Sequence, residues 1–221
     1  MIIAIDGPSG AGKSTVAKLI SKTLNFEYID TGAMYRALAY KAFKNSINIC
    51  KENEDNINEM LKNTSVDYDN NCIYLDGENV NDKIRDEIIS KMSSKISTIA
   101  YVRLKMVDLQ RAIAKNKDVV MDGRDIGTAV FPNANYKFFI TATVEKRAKR
   151  RYNELIKKGM DVCFDDVLSD IIKRDNNDTT REISPLQIAD DAILIDTTEK
   201  DINDVVKEIL NHVLNGGKNV L

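Results

Sequence analysis

The sequence predicts an α/β protein: a five-stranded parallel sheet flanked by helices, with a small antiparallel insert and a helical cover. Two observations carry this. Short apolar runs alternate with longer stretches of helical periodicity, the pattern of strands buried on both faces between crossover helices. The first run, Ile2–Asp6, leads straight into Gly7-Pro8-Ser9-Gly10-Ala11-Gly12-Lys13-Ser14-Thr15, a glycine-rich turn that opens a helix.

The remaining elements follow in order. Strands are predicted at Phe26–Ile29, Val119–Asp122, Tyr136–Thr141 and Ala192–Ile195. Helices are predicted at Lys13–Leu24, Ala33–Lys44, Tyr101–Lys115, Val144–Lys157, Phe164–Arg174 and Asp201–Leu214. In the last, Val205, Val206, Ile209, Leu210 and Val213 mark one buried face. Two regions interrupt the alternation. Residues 45–82 are rich in Asn, Asp and Glu, and Ser65–Tyr68 and Cys72–Leu75 flank Asn70-Asn71 before Asp76-Gly77, which predicts a hairpin insert on the substrate side. Arg147–Asp178 is densely charged and reads as a mobile cover. Gly216–Asn219 reads as a frayed tail.

Composition excludes several classes. At 221 residues and 43% hydrophobic content the chain can bury a full core, and no apolar run approaches the ~20 residues a membrane span needs. The start reads as strand rather than export signal, so a cytoplasmic location is expected. A net charge of −2 gives no overall attraction to nucleic acid or anionic lipid. Cys50, Cys72 and Cys163 lack metal-ligand spacing and are expected to be free thiols. His212 lies in the C-terminal helix and is expected to pack or face solvent.

The Gly7–Thr15 segment has the G-x-x-x-x-G-K-S form of a phosphate-binding loop. Glycines let successive N–H groups converge on an anion at a helix N-terminus, Lys13 reaches the β/γ-phosphates, and the Ser14 hydroxyl suits Mg²⁺. A nucleoside triphosphate, ATP in the kinase reading, is therefore the expected ligand. Asp122 ends an apolar strand, as does the acid that helps hold Mg²⁺ in such proteins. Asp122-Gly123-Arg124-Asp125 then forms a turn at that strand's carboxyl edge, and Asp30-Thr31-Gly32-Ala33-Met34-Tyr35-Arg36 forms another, where ligands of open α/β sheets bind. Val144–Lys158 carries seven cationic side chains against two acidic ones. Such a run is usually a solvated face, although its arginines suit phosphate or an adenine ring.

No histidine or other general base stands near these motifs, whereas Arg36, Arg124, Arg174 and Arg181 do. That combination implies an acceptor that is already anionic: a monophosphate dianion needs no deprotonation, and guanidinium forks fix its oxygens. A nucleoside monophosphate kinase follows from this. Kinases of other small acceptors, a slow nucleotide-hydrolysing switch and a nucleic-acid-binding module are the competing readings. Asn116-Lys117-Asp118 lacks the spacing of a guanine-reading element, because residue 119 is valine.

Taken together, Ile5–Thr15, Asp30–Arg36, Asp122–Thr128 with Phe131-Pro132, and Arg174–Arg181 with Ser184-Pro185-Leu186 resemble the bacterial cytidylate kinase family over nearly the whole chain. The resemblance implies a single P-loop NTPase domain, with core 1–44, 95–146 and 179–221, a monophosphate-binding insert at about 45–94 and a lid at about 147–178. It implies ATP-dependent phosphorylation of CMP and dCMP, with UMP poorer, by a monomer. Arg36, Arg124 and Arg181 would hold the acceptor phosphate, Arg174 and Asp178 its phosphate–sugar side, and Thr31 would lie near the nucleotide. Ser94, Arg103 and Asp125 would read cytosine, and Arg150 would belong to the ATP lid. Ser94 and Arg103 enter through the resemblance alone; without it they read as surface helix residues.

Overall fold

The computed structural model describes residues 1–69 and 72–216. Its main sheet contains β1 (Ile2–Asp6), β2 (Glu27–Asp30), β6 (Val119–Asp122), β7 (Tyr136–Thr141) and β8 (Ile193–Asp196), in the order β2-β6-β1-β7-β8. Every pairing in it is parallel. This is the predicted five-stranded sheet, with the second and fifth strands shifted by one residue. Register places Asp30 beside Asp122 and Ile5 beside Asp122, so three neighbouring strands end in the acids Asp30, Asp122 and Asp6.

The sheet divides the core. On one face Ile3, Ile5, Val120, Phe138 and Ile140 pack on Val16, Ala17 and Ile20 of α1 (Lys13–Leu24) and on Val205, Ile209 and Val213 of α8 (Ile202–Leu214). His212 packs there, its ring 6.2 Å from that of Phe138. On the other face Ala4, Ile29 and Met121 meet α2 (Thr31–Lys44) and α5 (Ala100–Ile113). That cluster continues into α3 (Glu54–Lys62), α4 (Glu87–Ile96) and strands β3 (Val66–Asp69) and β4 (Cys72–Leu75) of an antiparallel sheet, whose exposed third strand is β5 (Glu78–Asn79).

The hairpin expected between residues 65 and 75 is present as β3 and β4, with a short third strand beside it. Its Asn70-Asn71 turn lies outside the described residues, as does the tail beyond Gly216. Two helices in this region, α3 and α4, did not figure in the sequence reading. A further difference concerns α7 (Phe164–Thr180), which runs six residues past the predicted stop at Arg174 and packs on α6 (Val144–Lys157). The charged stretch after Arg174 is therefore helix as far as Thr180. Its chain turns only after Thr180, where Ser184 before Pro185 adopts φ 50°. Cys50, Cys72 and Cys163 are free. Among the described residues no helix is long and apolar enough to cross a membrane.

Candidate active site

The loop after β1 is shaped by backbone contact as much as by sequence. Gly7 has φ 145°, and a Cβ there would fall 2.0 Å from the Ile140 carbonyl oxygen of the neighbouring strand. Any other residue would push the loop off the sheet. Gly12, at φ 94°, then turns the chain into α1 without a side-chain cap, leaving the first amides of that helix free for an anion. Lys13 is buried, and its Nζ donates to the Pro8 carbonyl at 2.7 Å. Burial pushes its amine down to about 7, and the Arg124 charge adds to the push.

The Ser14 hydroxyl donates to Asp122 Oδ2 at 2.8 Å, and Tyr28 donates to Oδ1 at 2.7 Å. Burial and then the Asp30 charge raise the Asp122 carboxyl above its ordinary value. A hydroxyl and a buried carboxylate in contact are hard oxygen donors of the kind Mg²⁺ takes, usually with waters and phosphate oxygens completing its shell. Ser14 and Asp122 thus fit the metal expected for them, although the described residues hold no cluster of three metal-binding side chains.

Around the loop lies a cavity of about 700 Å³, lined by Ser9 to Val16, Asp122, Arg124 and Arg150. Arg150 donates to Thr197 Oγ1 at 3.0 Å and to the Thr197 carbonyl at 2.6 Å. Lys200, Asp201, Ile202 and Val205 also line it; Thr197, Lys200 and Ile202 were not singled out in the sequence, and Asp201 and Val205 figured there only as parts of the last helix.

A second, tighter chamber of about 140 Å³ abuts the first, and Ser9, Gly32, Arg36, Gly123, Arg124 and Arg174 belong to both walls. All nine residues expected to bind the acceptor line this chamber: Thr31, Arg36, Ser94, Arg103, Arg124, Asp125, Arg174, Asp178 and Arg181. They arrive from five segments. The end of β2 and start of α2 give Thr31, whose hydroxyl donates to the Asp122 carbonyl at 2.7 Å, and Arg36, which donates to Asp30 at 2.9 Å. Asp30, not Thr31, caps α2, accepting from Ala33 N. The turn after β6 gives Arg124 and Asp125; Gly123 permits it, since a Cβ would lie 2.8 Å from Thr31 Oγ1. Asp6 pins the following residues, accepting from Ile126 N at 2.9 Å and Gly127 N at 2.7 Å.

The chamber is electrostatically unbalanced. Five guanidinium groups face two carboxylates, Asp125 and Asp178. Arg124 Nε donates to Asp178 Oδ2 at 2.7 Å; burial opposes its charge, but Asp178, with Asp122 and Asp175, more than compensates and the net shift is upward. Arg174 and Arg181 are instead pushed down by burial, Arg181 further by the neighbouring Arg103 charge. Cations held this way favour an incoming anion, which removes a cost the free protein carries.

At the back of the chamber Arg103 is fully buried, so it is no surface residue. Its Nη2 donates to Asp125 Oδ2, and Arg181 Nη2 approaches Asp125 Oδ1 at 3.4 Å. Its Nη1 donates to the Ser97 carbonyl at 3.2 Å, and its guanidinium lies 5.6 Å from the Tyr35 ring centre. Arg103 Nε is buried without a partner. Sequence reasoning also missed Ser90, Ser93 and Ser97 on this wall, and Tyr35 figured there only as part of the Asp30–Arg36 turn. The serines recur with Ser94 at helical spacing on α4 and its C-cap, a polar stripe that a search for apolar periodicity passes over.

The basic run of α6 turns partly inward rather than to solvent. Arg147 is buried, Arg150 reaches Thr197, and Arg151 pairs with Glu87 of α4 and, at 2.8 Å, with Glu154. Lys91–Asp170 at 2.6 Å and Arg174–Ser90 at 2.7 Å add further links from α4 to α7.

A phosphate loop at the carboxyl edge of a parallel sheet, sharing a wall with an arginine-lined chamber, defines a P-loop kinase. Comparison with known proteins narrows this. The family model for cytidylate kinase matches residues 3–215. A cytidylate kinase of Alkaliphilus oremlandii is 54% identical over 209 residues, 95% of each chain, and one of Clostridioides difficile is 48% identical over 213 residues, 96% of this chain and 98% of that one. The chain belongs to the cytidylate kinase family and is a transferase, a nucleoside monophosphate kinase. A crystal structure of an uncharacterized protein from Eubacterium ventriosum, 14% identical, covers 96% of this chain and 98% of its own at TM-score 0.52, a likeness of fold alone.

Proposed function

We propose that this enzyme transfers the γ-phosphoryl group of ATP to CMP and dCMP, with UMP a poorer acceptor. The observation that carries the proposal is the buried Arg103–Asp125 pair at the back of an arginine-walled chamber. Asp125 can accept from the cytosine 4-amino group. Arg103, with an unpartnered Nε, and Ser94 can donate to ring N3 and O2. A uracil ring offers a carbonyl where cytosine offers an amine, and two acceptors would then face each other.

The chemistry is positioning and charge neutralisation. Loop amides and Lys13 hold the donor phosphates. Ser14 and Asp122 would hold Mg²⁺, which when bound draws charge from the phosphate oxygens. Arg36, Arg124 and Arg181 grip the acceptor dianion, Arg174 and Asp178 its phosphate–sugar side, and no general base is required. Arg150 would border the ATP base. Residues 45–94 would form the acceptor-side insert and 147–178 the lid, both closing to exclude water. The enzyme would act as a monomer, since one chain lines both chambers, in the cytoplasm where its nucleotides are made.

Acceptor-dependent ADP release across CMP, dCMP, UMP, AMP and shikimate tests the reading. CMP and dCMP should give the fastest turnover and the largest thermal shifts; an equal response across the panel, or none to CMP, would overturn it.

Lys13 gives a pH prediction. In the free protein it holds a proton only below about pH 7. A γ-phosphate beside it favours the charged form and raises that value, so binding ATP above pH 7 takes up a proton and weakens as pH rises. Calorimetry in buffers of different ionisation enthalpy at about pH 8.5 should read an uptake near one proton per ATP. Zero uptake there would mean that Lys13 is already charged.

A further inference from the structure

The segment Arg174–Arg181 sends Arg174, Asp178 and Arg181 into the acceptor chamber, but Asp175 points elsewhere. Its Oδ2 lies 2.6 Å from Arg147 Nη1, between side chains 22% and 7% exposed. The same Nη1 donates to the Ser9 carbonyl at 3.0 Å, and Arg147 Nε donates to the Ala142 carbonyl at 2.9 Å. Gly10 is seated on the same helical turn, where a Cβ would come within 3.2 Å of Arg147 Cβ and 3.1 Å of its carbonyl oxygen. One guanidinium in the first turn of α6 therefore joins the phosphate loop, the exit of β7 and the last turns of α7.

These anchors set a distance that matters for transfer. Ser9 lies on the wall common to both chambers, and Asp175 sits between Arg174 and, one turn on, Asp178. Sliding Ser9 relative to α7 would change the separation between donor phosphates and acceptor cage. Neither Arg147 nor Asp175 lines either chamber, so neither is placed to touch a nucleotide. Stability alone accounts poorly for the arrangement: Asp175 Oδ1 is buried without a partner, a desolvation cost that no bond at that atom offsets. Buried ion pairs are weak stabilisers and are better understood as fixing register.

We propose that Arg147 and Asp175 form a positioning pair that holds the phosphate loop at the distance and angle from the acceptor arginines which in-line transfer requires. The proposal rests on the reading that ATP and CMP occupy the two chambers.

Asp175→Asn keeps the shape and removes the charge; Arg147→Lys keeps the charge and removes the fork. Each should lower kcat roughly ten- to a hundredfold, as small misplacements of reacting groups do. KM for ATP and CMP should stay within about threefold of wild type. The double variant should fall little further than the worse single one, because both break the same tie. ATP lost to water per CMP phosphorylated should rise, and Asp175→Glu should recover part of kcat. Wild-type kcat in the variants, a loss residing in the KM for ATP, or multiplicative losses in the double variant would overturn the proposal. So would failure of all three single variants to fold, since the pair would then be a stability element. A wild-type enzyme inactive toward CMP would instead overturn the acceptor assignment.

Discussion

Lys13→Met is expected to cut turnover by about 10²–10³-fold while leaving the fold as stable as before, or more so. The two halves of this expectation have one origin. The Lys13 amine is buried and, in the free protein, rests on the Pro8 carbonyl, with its proton held only below about pH 7. Folding therefore gains little from the charge, and an apolar stem of similar length fills the same space. Catalysis needs the charge, because negative charge on the migrating phosphoryl group has to be met in a site where water is excluded. Steady-state kinetics and a thermal melt on the same preparation separate the effects. A folded Lys13→Met enzyme with near-normal kcat would remove Lys13 from the chemistry, and a large drop in Tm would show that its charge supports the fold.

Asp125→Ala is expected to be costly in both respects. Among the described residues Asp125 is the only carboxylate contacting both Arg103 and Arg181, and all three side chains are at most 7% exposed. Removing it leaves the buried Arg103 guanidinium without its counter-ion, and Arg181 beside it with Asp178 alone at 3.5 Å, a loss of about 3–5 kcal/mol. In a chain of this size that lowers Tm by about 10 °C. The base-reading face is lost at the same time, so kcat/KM for CMP should fall by about 10³-fold or more while the Kd for ATP alone changes little. Asp125→Asn, which retains one acceptor oxygen, should be milder in both. An Asp125→Ala enzyme with unchanged CMP kinetics would remove this residue from base recognition.

What could be read from the sequence was local. β1, β6 and β7 appear at their predicted bounds because strands buried on both faces are written as short apolar runs, and the phosphate loop is a contiguous motif. The acceptor chamber is written non-locally. Arg103 looks like any surface arginine until Asp125, 22 residues on, is seen to neutralise it. α4 escaped notice because the face that gives a helix its signature is here split: Ile89 and Ile96 enter the core, while Ser90, Ser93, Ser94 and Ser97 line a polar cavity. The last turns of α7 escaped for a related reason. Residues 175–180 contain no apolar side chain, and their inward face is held by Asp175 and Asp178 through ion pairs rather than by burial of hydrocarbon. Arg147 shows the converse, a residue in a basic run that reads as solvated yet is locked inside.

Because Arg124 and Arg174 border both compartments, the proposed migrating group would leave and arrive among the same neighbours. Its surroundings at departure and at landing would then be nearly matched in energy. An enzyme built so would hold its bound reactants and products close to parity, running forwards or backwards with equal ease and leaving the direction of flux to the relative abundance of nucleotides outside.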